Sequence, residues 1–248
     1  MNDWFEWNGV KCTDYGMHVL TPPSIIVAKE RVEDIQIPGK SGTLTRREGN
    51  LIYDNKNLSA TCIIDDIYDE DGNDIIAKIA GWLRGNGEVK FWNRPEGIFK
   101  ARIANQIPFD KILRNHPHRL FNVEFQCDPY LYLWQGDLGF EVTSTWSIQN
   151  LGNVPSAPLL KTRGNGEGTI MIGNQTMLLD IPNDVGELII DCDAKIAYSG
   201  TPGDPNNPLI LRGNCITGEW LEIPEGNSMM TISGDLVSVT VFPRWRCV

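Results

Sequence analysis

The chain has 248 residues, 41% hydrophobic and 22% charged, with a formal net charge of −10 and a pI near 4.8. That composition describes a globular protein of one large or two ordinary domains. The acidic balance excludes a broad nucleic-acid footprint, which needs clustered Lys and Arg, and no apolar run approaches the roughly 20 residues that cross a bilayer.

The chain opens on Trp4–Gly49, which carries W-N-G-V, then Y-G-M, a double-proline turn at Pro22-Pro23, and I-P-G-K-S-G-T-L followed by R-R-E-G. The N-terminus has neither a basic segment nor an apolar one, so no secretory signal is expected. Short runs alternating with period two predict strands over Leu58–Ile64, Val89–Trp92, Arg102–Ile107 and Arg119–Cys127. In the last of these, Phe121, Val123, Phe125 and Cys127 should share one face. Asp74–Arg84 breaks the rhythm. Its apolar residues Ile75, Ile76, Ile79, Ala80, Trp82 and Leu83 form one helical stripe, with Asn73 or Asp74 to cap it and Gly85 to stop it. Trp134–Ser144 contains glycine, lacks a period and reads as an inter-domain linker. Beyond it, strands are predicted at Ile170–Ile172, Leu178–Ile181, Glu187–Cys192, Pro208–Leu211, Glu219–Ile223 and Met229–Phe242. Gly164-Asn165-Gly166 and Gly173-Asn174 supply turn signals. The fold class is therefore mainly β: an N-terminal α+β unit with one helix, then a β-sandwich.

Motifs that carry chemistry fail on inspection. Gly39-Lys40-Ser41 imitates the end of a phosphate loop, but the required first glycine is Asp34 and no strong helix follows. The acids Asp65, Asp66, Asp69, Glu70 and Asp71 before Gly72 suggest a calcium loop, yet register on Gly72 puts Ile67 and Lys78 at ligand positions one and twelve. His116 and His118 are too close for a helix-face metal pair, and Pro117 between them indicates a surface turn. No G-x-S-x-G occurs, no cysteine has an activating neighbour in sequence, and Gly164-x-Gly166-x-Gly168 lacks dinucleotide spacing. No catalytic, cofactor-binding or metal-ligating residue is therefore named. The six scattered cysteines permit a disulfide framework. Chain length and the lack of an export signal favour reduced, mostly buried thiols. Among eight tryptophans, Trp82 belongs to the helical stripe and the core, and Trp146 and Trp220 are the candidates for stacking on a sugar.

The opening motifs, the single helix, the F-N-V-E-F-Q-C-D-P-Y-L-Y run, the S-I-Q-N-L-G-N-V-P entry of the second half and the F-P-R-W-R-C-V ending together resemble the distal tail (Dit) proteins of long-tailed, non-contractile bacteriophages. The resemblance spans the whole chain and is most specific over Trp4–Gly49. It implies a ring-forming domain at 1–133, a linker at 134–144 and a galectin-like sandwich at 145–248. It also implies a homohexameric hub in the virion tail tip, made in the bacterial host cytoplasm. Such a hub joins the tail tube protein to a tail-associated or tip protein and holds receptor-binding proteins. On that basis Arg31, Pro38, Gly39, Lys40, Ser41, Gly42, Arg46 and Arg47 are expected at the subunit interface, with Arg46 and Arg47 meeting acids of a neighbour. No cofactor, membrane insertion or sequence-specific nucleic acid is implied. Extended relatives carry carbohydrate-binding modules inserted in the second domain, and this chain has no large insertion there. The alternative function is a carbohydrate-binding adhesion module acting through the sandwich. A cell-wall hydrolase would need a carboxylate pair or metal cluster that the sequence does not recognisably offer.

Overall fold

The structure, a computed structural model, describes residues 3–47, 52–64, 72–111 and 118–248. The chain divides into two units, Met1–Leu131 with Val248, and Tyr132–Cys247.

In the first unit, β1 (Phe5–Trp7) turns back onto β2 (Val10–Lys11) through Asn8 and Gly9, at φ 52° and 80°. Two consecutive left-handed residues make the turn whose twist matches a hairpin, and Asn-Gly is the pair that adopts it most readily. The remaining elements are β3 (Met17–Thr21), β4 (Glu33–Gln36), β5 (Thr43–Arg46), β6 (Lys56–Ile64), α1 (Gly72–Trp82), β7 (Asn86–Phe91), β8 (Gly97–Ile103), β9 (Asp110–Lys111) and β10 (Arg119–Cys127). Antiparallel pairing gives the order β2-β1-β7-β8-β10-β6-β3, with β9 also on β10. The nine residues of β6 and the nine of β10 pair one to one, Lys56 opposite Cys127 through Ile64 opposite Arg119. Their alternation buries Leu58, Ala60, Cys62 and Ile64 beside Phe121, Val123, Phe125 and Cys127. An aromatic group closes this core: Phe125 meets Phe5, Phe91 and Trp7 at centroid distances of 5.3, 5.5 and 5.7 Å. Trp82 of α1 stacks between Phe5 and Tyr15 and donates its indole N–H to the Trp7 carbonyl at 3.1 Å. The helix is thus pinned by its last turn.

β11 (Leu131–Leu133) runs across the boundary in sequence. The second unit contains β12 (Phe140–Val142), β13 (Thr145–Gln149), β14 (Leu159–Ile172), β15 (Gln175–Ile181), β16 (Leu188–Asp191), β17 (Ile196–Ser199), β18 (Ile210–Leu211), β19 (Ile216–Gly218), β20 (Asn227–Phe242) and β21 (Arg246–Cys247). The long strands β14 and β20 pair along nearly their whole length and change outer neighbours midway. The first half of β14 pairs with β16 and the second with β15. One end of β20 pairs with β13 and the other with β12. One nine-stranded sheet results, and it contributes to one core that includes Leu160, Ile170, Ile172, Met177, Ile190, Leu221, Met230, Val239 and Val241.

The chain is mainly β with one α-helix among the described residues, as its patterning indicates. Several local expectations need correction. The helix begins two residues before Asp74 and ends at Trp82, and Ala80 is exposed rather than on the buried stripe. The strand expected at Arg102–Ile107 lies earlier, at Gly97–Ile103. The Asn105 side chain replaces the backbone ladder beyond it, donating to Asn122 O and accepting from Glu124 N–H, both at 2.9 Å. Glu219–Ile223 is not a strand; Gly218 at φ 102° ends β19, and the Gln175 amide takes both backbone groups of Glu222. Gly164-Asn165-Gly166 is not a turn but a bulge inside β14. Gly173-Asn174 does turn β14 into β15. The expected linker 134–144 is folded into the second unit, with a 3₁₀ turn at Trp134–Asp137 and β12 on β20. The acidic loop before Gly72 and His116 lie outside the described residues, and His118 is half-buried.

Candidate interaction surfaces

The residues expected at a subunit interface form a separate two-stranded hairpin, β4 with β5, in the register Glu33–Arg46, Asp34–Thr45, Ile35–Leu44 and Gln36–Thr43. Its tip is a turn over Ile37-Pro38-Gly39-Lys40. Lys40 N–H donates to Ile37 O at 3.1 Å, and Gly39 sits at φ 80°. Proline second and left-handed glycine third define a type II turn. β5 follows the tip, so the imitation of a phosphate loop has no helix behind it. The hairpin is anchored at its base. Arg31 N–H donates to Ile52 O at 2.7 Å, Asp54 N–H donates to Lys29 O at 2.8 Å, and Arg31 Nε reaches Asp54 at 2.8 Å.

Beyond that base the hairpin is bare. Ile37 and Leu44 are 39% and 51% exposed, and Pro38, Gly39, Lys40, Ser41 and Gly42 are all exposed. Among the described residues no third strand pairs with it, and an isolated two-stranded hairpin is only marginally stable in water. Within the single chain, Arg47 pairs with Glu30 at 2.9 Å and Arg46 lies 4.0 Å from Glu33. Both guanidinium groups are more than half exposed, so these pairs contribute little to stability.

Trp146 and Trp220 do not form one site. Trp146 is exposed on β13 and stacks on Phe140 with centroids 6.5 Å apart. Trp220 follows β19 and packs against the core. In the order β13-β20-β14-β15-β19 they stand at opposite edges.

Five of the six thiols are inert by burial. All six cysteines are free and only Cys247 is not buried. Burial pushes the Cys12 thiol up to about 11 and Cys127 and Cys192 up to about 12, and raises Cys62 and Cys215 as well. A nucleophile needs the opposite shift. Among the described residues no group of three or more His, Cys, Asp and Glu is arranged to hold a metal ion.

No protein-family model and no curated protein matches the chain. Solved structures do. The chain resembles SPP1 Dit (gp 19.1), described as a paradigm of the hub adsorption apparatus in Gram-positive infecting phages, with a TM-score of 0.73 and 15% identity over 96% of this chain and 97% of that one. It also matches the phage P2 baseplate in its activated conformation with calcium, at a TM-score of 0.48 and 7% identity over 92% and 91% of the two chains. From end to end, the chain therefore has the fold of a phage Dit protein.

Proposed function

We propose that this chain is a structural hub protein of a long, non-contractile phage tail. It acts at the virion tail tip as a homohexameric ring between the tail tube protein and a tail-associated or tip protein. The carrying observation is the likeness to SPP1 Dit, which runs over 96% of this chain and 97% of that one at a TM-score of 0.73. The first unit forms the ring and the second is a galectin-like domain that holds receptor-binding proteins.

The bare β4–β5 hairpin supports this reading. A fold that leaves Ile37 and Leu44 in water on a two-stranded ribbon gains stability when a neighbour covers them. Closed cyclic symmetry covers every copy's hairpin at once and leaves no free edge. Arg31, Pro38 to Gly42, Arg46 and Arg47 then lie in that contact, and Glu30 and Glu33 enter it with the arginines they accompany. The net charge of −10 suits a wall past which DNA travels, because like charge keeps the polymer from adhering.

Native mass spectrometry and electron microscopy of tail particles test the proposal. The expected species is a ring of six times the 27.8 kDa chain mass, with residues 31–47 between subunits. Tail particles that contain the chain without any ring, or a ring with the hairpin facing solvent, would overturn it.

A further inference from the structure

On the outer face of the second unit, pairing sets Lys161 of β14 beside Ile189 of β16, and Ile189 beside Tyr198 of β17. Alternation sends Leu188, Ile190 and Ala197 into the core, so Ile189 and Tyr198 form a half-buried floor on the other side. Loops at 184–187 and 199–208 wall it into a groove of about 760 Å³, inside the roughly 300–1,000 Å³ range of ligand sites.

The walls are preorganised. Gly200 sits at φ 86°, and a Cβ there would come within 2.2 Å of Pro208 O. Thr201 N–H donates to Asn207 O at 2.8 Å, and the Asp204 carboxylate accepts from Asn206 N–H at 2.9 Å. Arg212 is held in place, Nε donating to Ser199 Oγ and a terminal nitrogen to Asp184 Oδ2, both at 3.2 Å. Lys161 and Arg212 balance Asp184 and Glu187 around the groove. Neither a polyanion nor a polycation finds an excess of opposite charge. A neutral ligand rich in hydroxyls finds an aromatic ring, fixed donors and fixed acceptors. We propose that this groove binds a neutral oligosaccharide, one sugar ring against Tyr198 and its hydroxyls on Arg212, Asp184 and Asn207. The site does not depend on the tail-hub reading, and it moves sugar recognition away from Trp146 and Trp220.

The test uses the full chain with neutral oligomers of glucose, galactose, rhamnose and N-acetylglucosamine, followed by saturation-transfer NMR and titration. At least one oligomer should bind. Tyr198→Ala should weaken it at least about tenfold while Trp146→Ala leaves it unchanged. Tyr198→Phe keeps the stacking face and should retain most of the affinity. If Tyr198→Ala does not fold, Asn207→Ala on the exposed loop should show the weakening instead. Three results would each overturn the proposal: no oligomer bound, binding indifferent to every groove variant, or binding of charged polymers alone. Protection of residues 198–212 from hydrogen exchange in tail particles, without glycan binding by the free chain, would assign the groove to a protein partner and also overturn it.

Discussion

Arg244 and Asp191 make the best-built ion pair in the second unit. Two guanidinium nitrogens donate to the two carboxylate oxygens at 2.8 and 3.0 Å, and both side chains are less than a third exposed. Burial opposes ionisation of Asp191, but the bonds from Arg244 and from the backbone of Ala194 and Asp193 outweigh it and hold the carboxyl below its usual value. A carboxylate depressed in the folded state contributes stability above its unfolded value, about 3.9, and loses it as pH falls through the folded value. Asp191→Asn should therefore cost about 2 kcal/mol at neutral pH, and the gap to wild type in urea titrations should shrink below about pH 4. Lys56 illustrates the opposite case. It is 7% exposed, its Nζ lies 5.0 Å over the Phe99 ring, and burial lowers its ammonium pKa. Lys56→Met should raise stability by about 1 kcal/mol, since a buried charge is exchanged for a side chain of similar volume. Thiol titration checks the cysteines: Cys247 should react in the folded protein, and the other five only on unfolding.

At the scale of elements, glycines at positive φ divide into two kinds. Gly234 sits at φ 82°, where a Cβ would come within 2.4 Å of Glu167 O across the bulge between β14 and β20. Gly39 sits at φ 80° at the hairpin tip with nothing within 4 Å. Gly234→Ala should cost about 3 kcal/mol, combining strain with a backbone clash. Gly39→Ala should cost only about 1 kcal/mol, the left-handed penalty alone. Thermal unfolding of the two variants separates them. The hairpin predicts differently again. Replacing Ile35 and Leu44 by Asp removes apolar surface that the single chain does not bury deeply, so the isolated unit should keep its secondary structure while ring assembly fails.

For the whole molecule, an obligate ring would tie stability to concentration. Wild-type Tm should rise with protein concentration, because association stabilises the folded chain, and the Ile35→Asp, Leu44→Asp variant should lose that dependence. Much of this architecture is legible along the chain. β10 is readable from Arg119–Cys127 because a half-buried strand writes its two faces into alternate residues. α1 is readable because one face of a helix repeats at its own period. Asn8-Gly9 is an equally local signal, and the hairpin it makes could have been anticipated from that pair alone. Other features are not local. Whether Gly164-Asn165-Gly166 turns the chain or bulges within a strand depends on β20, more than sixty residues away, lying alongside. The Asn105 and Gln175 side chains take the place of strand ladders, bonding the backbone of Asn122 and Glu124 and of Glu222. Residues 140–142 leave the role of linker only because β20 offers an edge. The sequence by itself determined the type and buried face of the strongly periodic elements, β6, β10 and α1, since those depend on period and composition. Tertiary structure decided which strands pair, where they break, and that Tyr198 rather than a tryptophan lines the groove, since those depend on long-range contacts that no local pattern encodes.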